Sequence, residues 1–233
     1  MSRPPTESSP VSARADPGHG TASKAPPRRH DPAQTREDIL TVATEEFAAH
    51  GLSGARVDAI AARTRTTKRA IYYYFRSKEE LYLAVLERAY ASIRAIESEL
   101  RLEDMAPEAA IRRLVEFTFD HQDANPDFVR LVGIENIHRA EHLKRSPAIR
   151  GLNVSVIETI ASILARGRHA GVFRAEVDPV DLHLLISAFC FFRVANRHTF
   201  GAIFDRDLTQ PDLRARHKRL IGDAVIRLLQ GAG

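Results

Sequence analysis

Residues 59–86 read AIAARTRTTKRAIYYYFRSKEELYLAVL, and the signals in this stretch decide the fold. Thr67 is well placed to cap a short helix that begins at Lys68, and Arg76-Ser77 is placed to end it. Ser77 then stands three residues before Glu80, which is the spacing of a capping box, so a long helix is predicted to follow. The run of three tyrosines therefore lies in a helix. The alternative prediction, a buried strand rich in aromatic residues, fails because caps and breaks enclose the run.

Two further helices are predicted upstream. In residues 35–57, TREDILTVATEEFAAHGLSGARV, Thr35 is predicted as an N-cap and His50-Gly51 as the stop of the first helix. A short second helix is predicted through Val57 and Ile60. Two short helices joined by a tight turn match a helix-turn-helix, whose second helix enters the major groove of DNA.

Charge and aromatic residues support a polyanionic partner for this region. Between Arg56 and Lys78 there are seven Lys or Arg residues against Asp58 alone. Such an excess attracts phosphate and releases counterions. Because Tyr72, Tyr73 and Tyr74 point about 100° apart on a helix, at least one of them must face solvent or a ligand.

With its apolar spacing, its caps and the YYYF-x-SKEEL sequence, the stretch from Thr35 to Leu86 resembles the TetR (tetracycline-repressor-like) family of bacterial transcription regulators. The resemblance implies a DNA-binding unit of three helices, a larger helical domain that binds a small molecule, and a homodimer. Its recognition helix would run from Lys68 to Tyr74, with Ile71 and Phe75 packed on the first helix.

The family positions predict roles for individual residues. Lys68, Arg69 and Tyr72 would face base edges, and Thr67, Tyr73, Tyr74 and Lys78 would reach the phosphate backbone, with Arg56 included in the DNA-binding set. Two departures stand out. Arg65 occupies the turn position where the family usually has glycine, which predicts a mildly strained turn. Ala55 and Arg56 replace the usual Thr or Ser, so the hydroxyl cap of the second helix is missing.

The remaining sequence predicts an all-α fold. Helices are predicted to start at Pro107, Pro126, Pro147, Pro179 and Pro211, with the Pro179 helix extending towards Ile203. We assign residues 1–33, rich in Pro, Ser, Gly and Ala, to a disordered tail, 34–80 to the helix-turn-helix domain and 81–233 to the ligand-binding and dimerisation domain.

Polar residues among aromatic and aliphatic ones in the C-terminal helices predict a mostly apolar small-molecule site. The alternative is a plain helical core. The predicted lining residues are Phe117, Phe128, Val132, Glu135, Asn136, Asn153, Ile157, Phe192 and Asn196. We predict no cofactor. Glu135, His138 and His142 would share one side of a helix, as metal ligation requires, but the surrounding Arg and Lys residues favour a solvated face, so no metal is assigned.

The sequence therefore predicts a cytoplasmic, homodimeric regulator that binds a palindromic double-stranded DNA operator and is released from it by a small-molecule effector. The last two helices would form the dimer interface. A co-repressor-dependent regulator or an activator with the same DNA-binding mode remains the alternative of the same class. An enzyme is disfavoured because no catalytic motif is found, and an architectural DNA binder because the chain beyond Glu97 is long. The single cysteine fits a reducing compartment, and we expect neither a secretory signal nor a membrane-spanning run.

Overall fold

The computed structural model describes residues 31–231, and every regular element within that range is helical. The first four helices are α1 (Pro32–Gly54), α2 (Val57–Arg63), α3 (Lys68–Phe75) and α4 (Lys78–Ser98). Gly51 interrupts α1 with a φ of 66°, a conformation that glycine adopts at little cost. The chain can therefore turn there towards α2, as the sequence predicts.

A compact hydrophobic cluster holds α1, α2 and α3 against the first half of α4. Its largest fully buried side chains include Phe47 and Tyr82, whose rings meet edge to face at 5.1 Å. Leu131 and Ile149 from later in the chain complete the same cluster. The three predicted DNA-binding helices are thus packed against the start of α4 and two C-terminal helices. We call this set of buried residues the DNA-binding cluster.

The rest of the chain forms α5 (Pro107–Ala124), α6 (Pro126–Ile137), α7 (Pro147–His169), α8 (Pro179–Ala195), α9 (Arg197–Phe204) and α10 (Pro211–Gln230), with short 3-10 turns at Leu102–Asp104 and Leu143–Arg145. Proline stands in the first turn of five of these six helices, the exception being α9. Since the first-turn N–H groups have no partner in the helix, proline begins a helix there without losing a hydrogen bond. The predicted proline starts are confirmed.

A second hydrophobic cluster is formed mainly by buried residues of α5, α7, α8 and α10, and we call it the C-terminal hydrophobic cluster. Next to it, ion pairs fix α8 and α10 on α5. The Arg193 guanidinium is buried, lies over the Phe119 ring at 4.3 Å, and donates to the Leu208 carbonyl at 2.7 Å and to Asp123. Asp123 also pairs with Arg214 of α10. Arg193 also holds the connection between α9 and α10, because Leu208 lies in that connection.

Three sequence predictions need correction. Helix α1 begins at Pro32 and not after Thr35, so the predicted tail of residues 1–33 overlaps the helix by two residues; residues 1–30 lie outside the described range. The Pro179 helix ends at Ala195, and α9 turns away from it by 69°. Asn196 at the junction has φ −103° and ψ 9°, a conformation outside the helical region. The sequence has no proline or glycine at this position, so the bend could not be predicted from it.

Helix α7 also differs from expectation, because its length and composition alone would allow it to cross a membrane. In the structure it packs against α4, α5 and α8. Its residues Val156, Ile160 and Ile163 belong to the C-terminal hydrophobic cluster. Burial in that core accounts for part of its apolar sequence, since 28% of its most apolar stretch is buried.

Gly167 of α7 provides a test of this packing. A Cβ atom there would lie 1.9 Å from Cδ2 of Phe173, whose ring is buried. We expect Gly167→Ala to lower the free energy of unfolding by about 1–3 kcal/mol in urea titrations, because the ring cannot move freely in a packed core.

The matched control is Gly151→Ala on the same helix, where nothing lies within 4 Å of the added Cβ. This variant should be stabilised by up to about 1 kcal/mol through helix propensity. Equal effects of the two substitutions would contradict the close approach of Phe173 to Gly167.

Candidate DNA interface and ligand cavity

Helix α3 divides its side chains between the core and an outer face. Ile71 and Phe75 are buried in the core, whereas Tyr73 is 83% exposed and lies outside the core. Tyr72 and Tyr74 are half-buried against the DNA-binding cluster, and Tyr74 meets Tyr73 edge to face at 5.5 Å. Tyr73 thus presents a hydroxyl and a ring edge on the outer surface of the helix.

The turn between α2 and α3 has the strained geometry that the sequence predicts. Arg65 adopts a φ of 52°, and the Thr66 N–H donates to the Ala61 carbonyl at 3.0 Å, which is the pattern of a Schellman motif. Thr67 then caps α3 by accepting a hydrogen bond from the Ala70 N–H at 3.1 Å. A non-glycine residue in this region costs about 1–2 kcal/mol, which is offset by the Thr66 hydrogen bond, by the Arg65 N–H that donates to the Ala62 carbonyl at 3.3 Å, and by the Thr67 cap.

The start of α2 replaces its missing hydroxyl cap with a contact from α1. Arg56 makes no side-chain cap. Its backbone N–H donates instead to the buried carboxylate of Glu46 at 2.9 Å. Glu46 therefore fixes α2 on α1, a role that the sequence analysis did not assign.

The basic side chains around α3 are exposed or loosely held. Lys68 is paired with Asp58 of α2 at 3.3 Å, and the Lys78 ammonium donates to the Ser53 carbonyl at 3.2 Å. Arg56, Thr67 and Arg69 are exposed. Exposed contacts of this kind contribute little stability, so the lysines can exchange them for phosphate or base contacts at small cost.

A cavity of about 400 Å³ lies between α4, α5, α6, α7 and α8. Five of the nine lining residues predicted from sequence line this cavity, namely Phe117, Phe128, Val132, Asn136 and Asn153. Apolar groups dominate its wall, with Tyr90 and Phe128 in edge-to-face contact at 5.3 Å. Volume and lining are those of a small-molecule site. We call it the central cavity.

The polar wall of the central cavity was missed by the sequence analysis. Arg94 and Glu97 of α4 form an ion pair in this wall, and Gln122 of α5 and His183 of α8 lie beside them. Burial lowers the pKa of Arg94 and raises that of Glu97. Burial, followed by the Arg94 charge, lowers the pKa of His183. The available signal was Glu97 itself, a charge on the face of α4 that carries Leu86, Tyr90 and Ile93.

Four predicted lining residues are not in the central cavity. Ile157 packs against the C-terminal hydrophobic cluster. Phe192, near the end of α8, is exposed, and neither it nor Asn196 at the junction after α8 lines the cavity. Glu135 points away from it. Helical periodicity alone could not separate these faces, because each C-terminal helix contacts several others.

Glu135 instead organises the segment between α6 and α7. Its carboxylate, 1% exposed, accepts hydrogen bonds from the backbone N–H groups of His142 at 3.2 Å and Leu143 at 3.1 Å, and lies 3.1 Å from the His142 imidazole. Tyr82 packs edge to face on that imidazole, and burial followed by the Glu135 charge raises the pKa of Tyr82. We call Tyr82, Glu135 and His142 the junction cluster.

The metal hypothesis for Glu135, His138 and His142 assumed one continuous helix, and this assumption is wrong. Helix α6 ends at Ile137, and Arg139 and Ala140 have positive φ angles that reverse the chain. His138 therefore lines a separate groove with His50 and His198. No group of three His, Cys, Asp or Glu side chains in residues 31–231 is placed to hold a metal. The predicted solvated face holds for Arg139, Lys144 and Arg145, which are exposed, whereas Glu135 is buried.

Cys190 lies in the hydrophobic core of the C-terminal helices. Burial raises the pKa of its thiol to about 12. The side chain is therefore a neutral, apolar group at neutral pH, as the sequence predicts.

A capped helix-turn-helix with a basic outer face, joined to a helical domain with a mostly apolar cavity, defines the class of helix-turn-helix transcription regulators. Residues 39–85 match the family model of bacterial regulatory proteins of the tetR family, and residues 107–225 match the tetracyclin repressor-like C-terminal domain. The chain is 34% identical over 84% of its length to the transcriptional repressor NicS of Pseudomonas putida, covering 93% of that protein.

Solved structures give the same assignment. A Streptomyces coelicolor protein described as a transcriptional regulator is 28% identical, with a TM-score of 0.62 over 82% of this chain and 96% of its own. A tetR-family protein from Rhodococcus shares the fold, with a TM-score of 0.67 at 20% identity over 86% and 99% of the two chains. The chain belongs to the TetR family and is a DNA-binding transcription regulator.

The junction cluster predicts a stability effect far from the DNA-binding face. Glu135→Leu leaves two buried N–H donors and an imidazole without their acceptor, so we expect a loss of about 2–5 kcal/mol in the free energy of unfolding. Urea denaturation followed by circular dichroism measures it.

The control is Glu80→Leu, which removes an exposed ion pair with Arg145 in the same segment. It should cost about 1 kcal/mol or less. If both variants lost the same stability, the carboxylate of Glu135 would not be holding the segment.

Proposed function

We propose that this protein is a homodimeric repressor that binds a palindromic operator through α3 and is released when a small molecule occupies the central cavity. The observation that carries the proposal is the continuity of α4, which packs beneath the DNA-binding helices with Leu81 and Val85 and lines the central cavity with Tyr90 and Arg94. A ligand that moves the second half of this helix also moves its first half. The repressor assignment is supported by the similarity of this chain to the transcriptional repressor NicS of Pseudomonas putida.

In the proposed complex, Lys68, Arg69 and Tyr72 of α3 read base edges. Arg56, Thr67, Tyr73, Tyr74 and Lys78 contact phosphates. The exposure of Tyr73 and the weak pairing of Lys68 support these roles. Base contacts provide sequence discrimination, whereas phosphate contacts provide affinity that depends on salt.

The proposed dimer interface lies on α8 and α10. Exposed apolar side chains recur every four residues on α8, at Val180, Leu184, Ala188 and Phe192, and on α10 at Leu220, Ala224 and Leu228. Two such stripes from each subunit form the core of a four-helix bundle. Since α9 bends away, only the part of the predicted interface up to Ala195 belongs to α8. A twofold symmetric dimer presents two α3 helices about 34 Å apart to successive major grooves.

Selection of bound duplexes from a random pool, followed by mobility-shift titration, tests the DNA-binding proposal. We expect a palindromic consensus. Lys68→Ala should relax discrimination at one base position in each half-site by about 1–3 kcal/mol. Lys78→Ala should weaken all sequences alike and reduce the magnitude of the salt slope by about one per site.

Arg101→Ala is the control for general charge loss, because Arg101 is exposed and paired only with Asp104 far from α3 in sequence. It should leave binding unchanged. A consensus without twofold symmetry, or wild-type DNA binding by both lysine variants, would contradict the proposed placement of α3.

A charge in the apolar stripe tests the dimer. Leu220 of α10 is 55% exposed, and Leu220→Glu would bury a carboxylate in the bundle at a cost of several kcal/mol. We expect sedimentation analysis to show monomers at concentrations where the wild type is dimeric. Ile137→Glu, which alters a 77% exposed residue on α6, should remain dimeric. A dimeric Leu220→Glu variant would refute this interface.

A further inference from the structure

The polar wall of the central cavity contains a cation with one free edge. Arg94 donates through Nη1 to Glu97, while its Nε is buried without a hydrogen-bond partner among residues 31–231. A guanidinium presents a second edge that includes Nε and suits an acceptor with two oxygens. A buried N–H donor left unpaired costs free energy, so a ligand acceptor at this edge would form a hydrogen bond that the described residues do not provide.

A second unpaired group belongs to another lining residue. Gln122 of α5 is 6% exposed, and its Oε1 is buried with no hydrogen-bond partner in the described part of the chain. Its residue lines the central cavity together with Arg94. An occupant that satisfies both residues must offer an acceptor to Arg94 and a hydrogen-bonding group, such as a hydroxyl, to Gln122.

Aromatic rings form much of the remaining lining. Tyr90 and Phe128 lie edge to face at 5.3 Å, and Phe117 and Phe191 also line the cavity. His121 stands behind Phe117 and Phe128, with ring centroids 5.6 Å and 6.2 Å away. Ring faces and edges of this kind favour a flat aromatic occupant over a flexible chain, since aromatic pairs gain energy beyond their buried area.

The only charged residues in the lining form one ion pair. Arg94 is the single cation among them and Glu97 the single carboxylate, so the pair is neutral as it stands. Burial raises the pKa of Glu97, so its carboxylate takes up a proton more readily than an exposed one. Burial lowers the pKa of His183, so this side chain is a neutral donor or acceptor beside Arg94. A monoanion bound to the free edge of Arg94 balances the guanidinium charge once Glu97 takes up a proton.

We propose that the central cavity binds a small aromatic monocarboxylic acid that carries a ring hydroxyl, with the carboxylate on Arg94 and the hydroxyl on Gln122. This inference rests on the proposed function, since the acid would be the effector that releases DNA. Arg94 and Glu97 lie on α4, so a carboxylate that draws Arg94 away from Glu97 acts directly on the helix beneath the DNA-binding unit.

Calorimetric titration of the purified full chain with matched probes tests the ligand class. The panel is 3- and 4-hydroxybenzoate, benzoate, the two hydroxybenzamides, cyclohexanecarboxylate and octanoate. We expect a hydroxybenzoate to bind with a dissociation constant below about 1 mM and at least about tenfold more tightly than its amide. Absence of binding by every aromatic acid, equal binding of acid and amide, or preference for octanoate would overturn the proposal.

Variants assign the two ends of the ligand. Arg94→Met should weaken hydroxybenzoate binding by about tenfold to a hundredfold, whereas Arg101→Met, at an exposed arginine, should not change it. Glu97→Gln should bind the acid at least as tightly as the wild type, because it removes a competing carboxylate. A loss with Glu97→Gln as large as with Arg94→Met would overturn the assignment.

Gln122→Leu should abolish the preference for hydroxybenzoate over benzoate while leaving benzoate binding within about threefold of the wild type. Retention of the full preference would place the hydroxyl elsewhere and contradict the proposal. Thermal unfolding of each variant without ligand shows whether it is folded.

The same acids are then added to the protein bound to its selected operator. Acid binding without release of DNA refutes the repressor mechanism but leaves the ligand class standing. Palindrome binding with no response to any acid refutes the ligand class and leaves the DNA-binding function intact. Release by a hydroxybenzoate, absent in Arg94→Met, supports both.

Discussion

Helix α4 is a single rigid element that belongs to two environments, and this constraint connects the ends of the molecule. Its first half contributes Leu81, Val85 and Leu86 to the DNA-binding cluster. Its second half presents Tyr90, Arg94 and Glu97 to the central cavity. Because a well-packed helix moves as a unit and cores do not deform continuously, a displacement at one half cannot be absorbed within the helix.

A second connection runs in parallel through α6 and the segment that follows it. Val132 and Asn136 line the central cavity, while Leu131 and Glu135 on other faces of the same helix reach the DNA-binding cluster and the junction cluster. The segment then contacts α4 through Arg145 with Glu80 at 2.9 Å and Ser146 with Glu87 at 2.6 Å. Helices α4 and α6 therefore both line the cavity and both pack against the DNA-binding helices. A ligand in the cavity would act on the DNA-binding unit through both of them.

The sequence was informative wherever a local rule determines the structure. The caps at Thr67 and Ser77, the positive φ of Arg65 and the proline starts follow from backbone hydrogen bonding within a few residues, and all are present. The bend after Ala195 and the burial of Glu135 depend on tertiary contacts, and they were missed. The polar wall was missed for the same reason, since an Arg-Glu pair three residues apart usually marks an exposed helix face. Only the packing of four other helices around α4 makes Arg94 and Glu97 internal.

The buried Arg94–Glu97 pair also has an energetic consequence for regulation. Two charges removed from water are stabilised by each other only in part, and the Nε of Arg94 has no hydrogen-bond partner among the described residues. The proposed carboxylate ligand would gain most in the conformation where it accepts a hydrogen bond from this Nε. Regulation requires that this conformation differ from the one that fits DNA, because a ligand shifts an equilibrium only by its difference in affinity for the two states. Placing the charged contact on α4, and not on a helix remote from the DNA-binding cluster, makes that difference in affinity act on the position of α3.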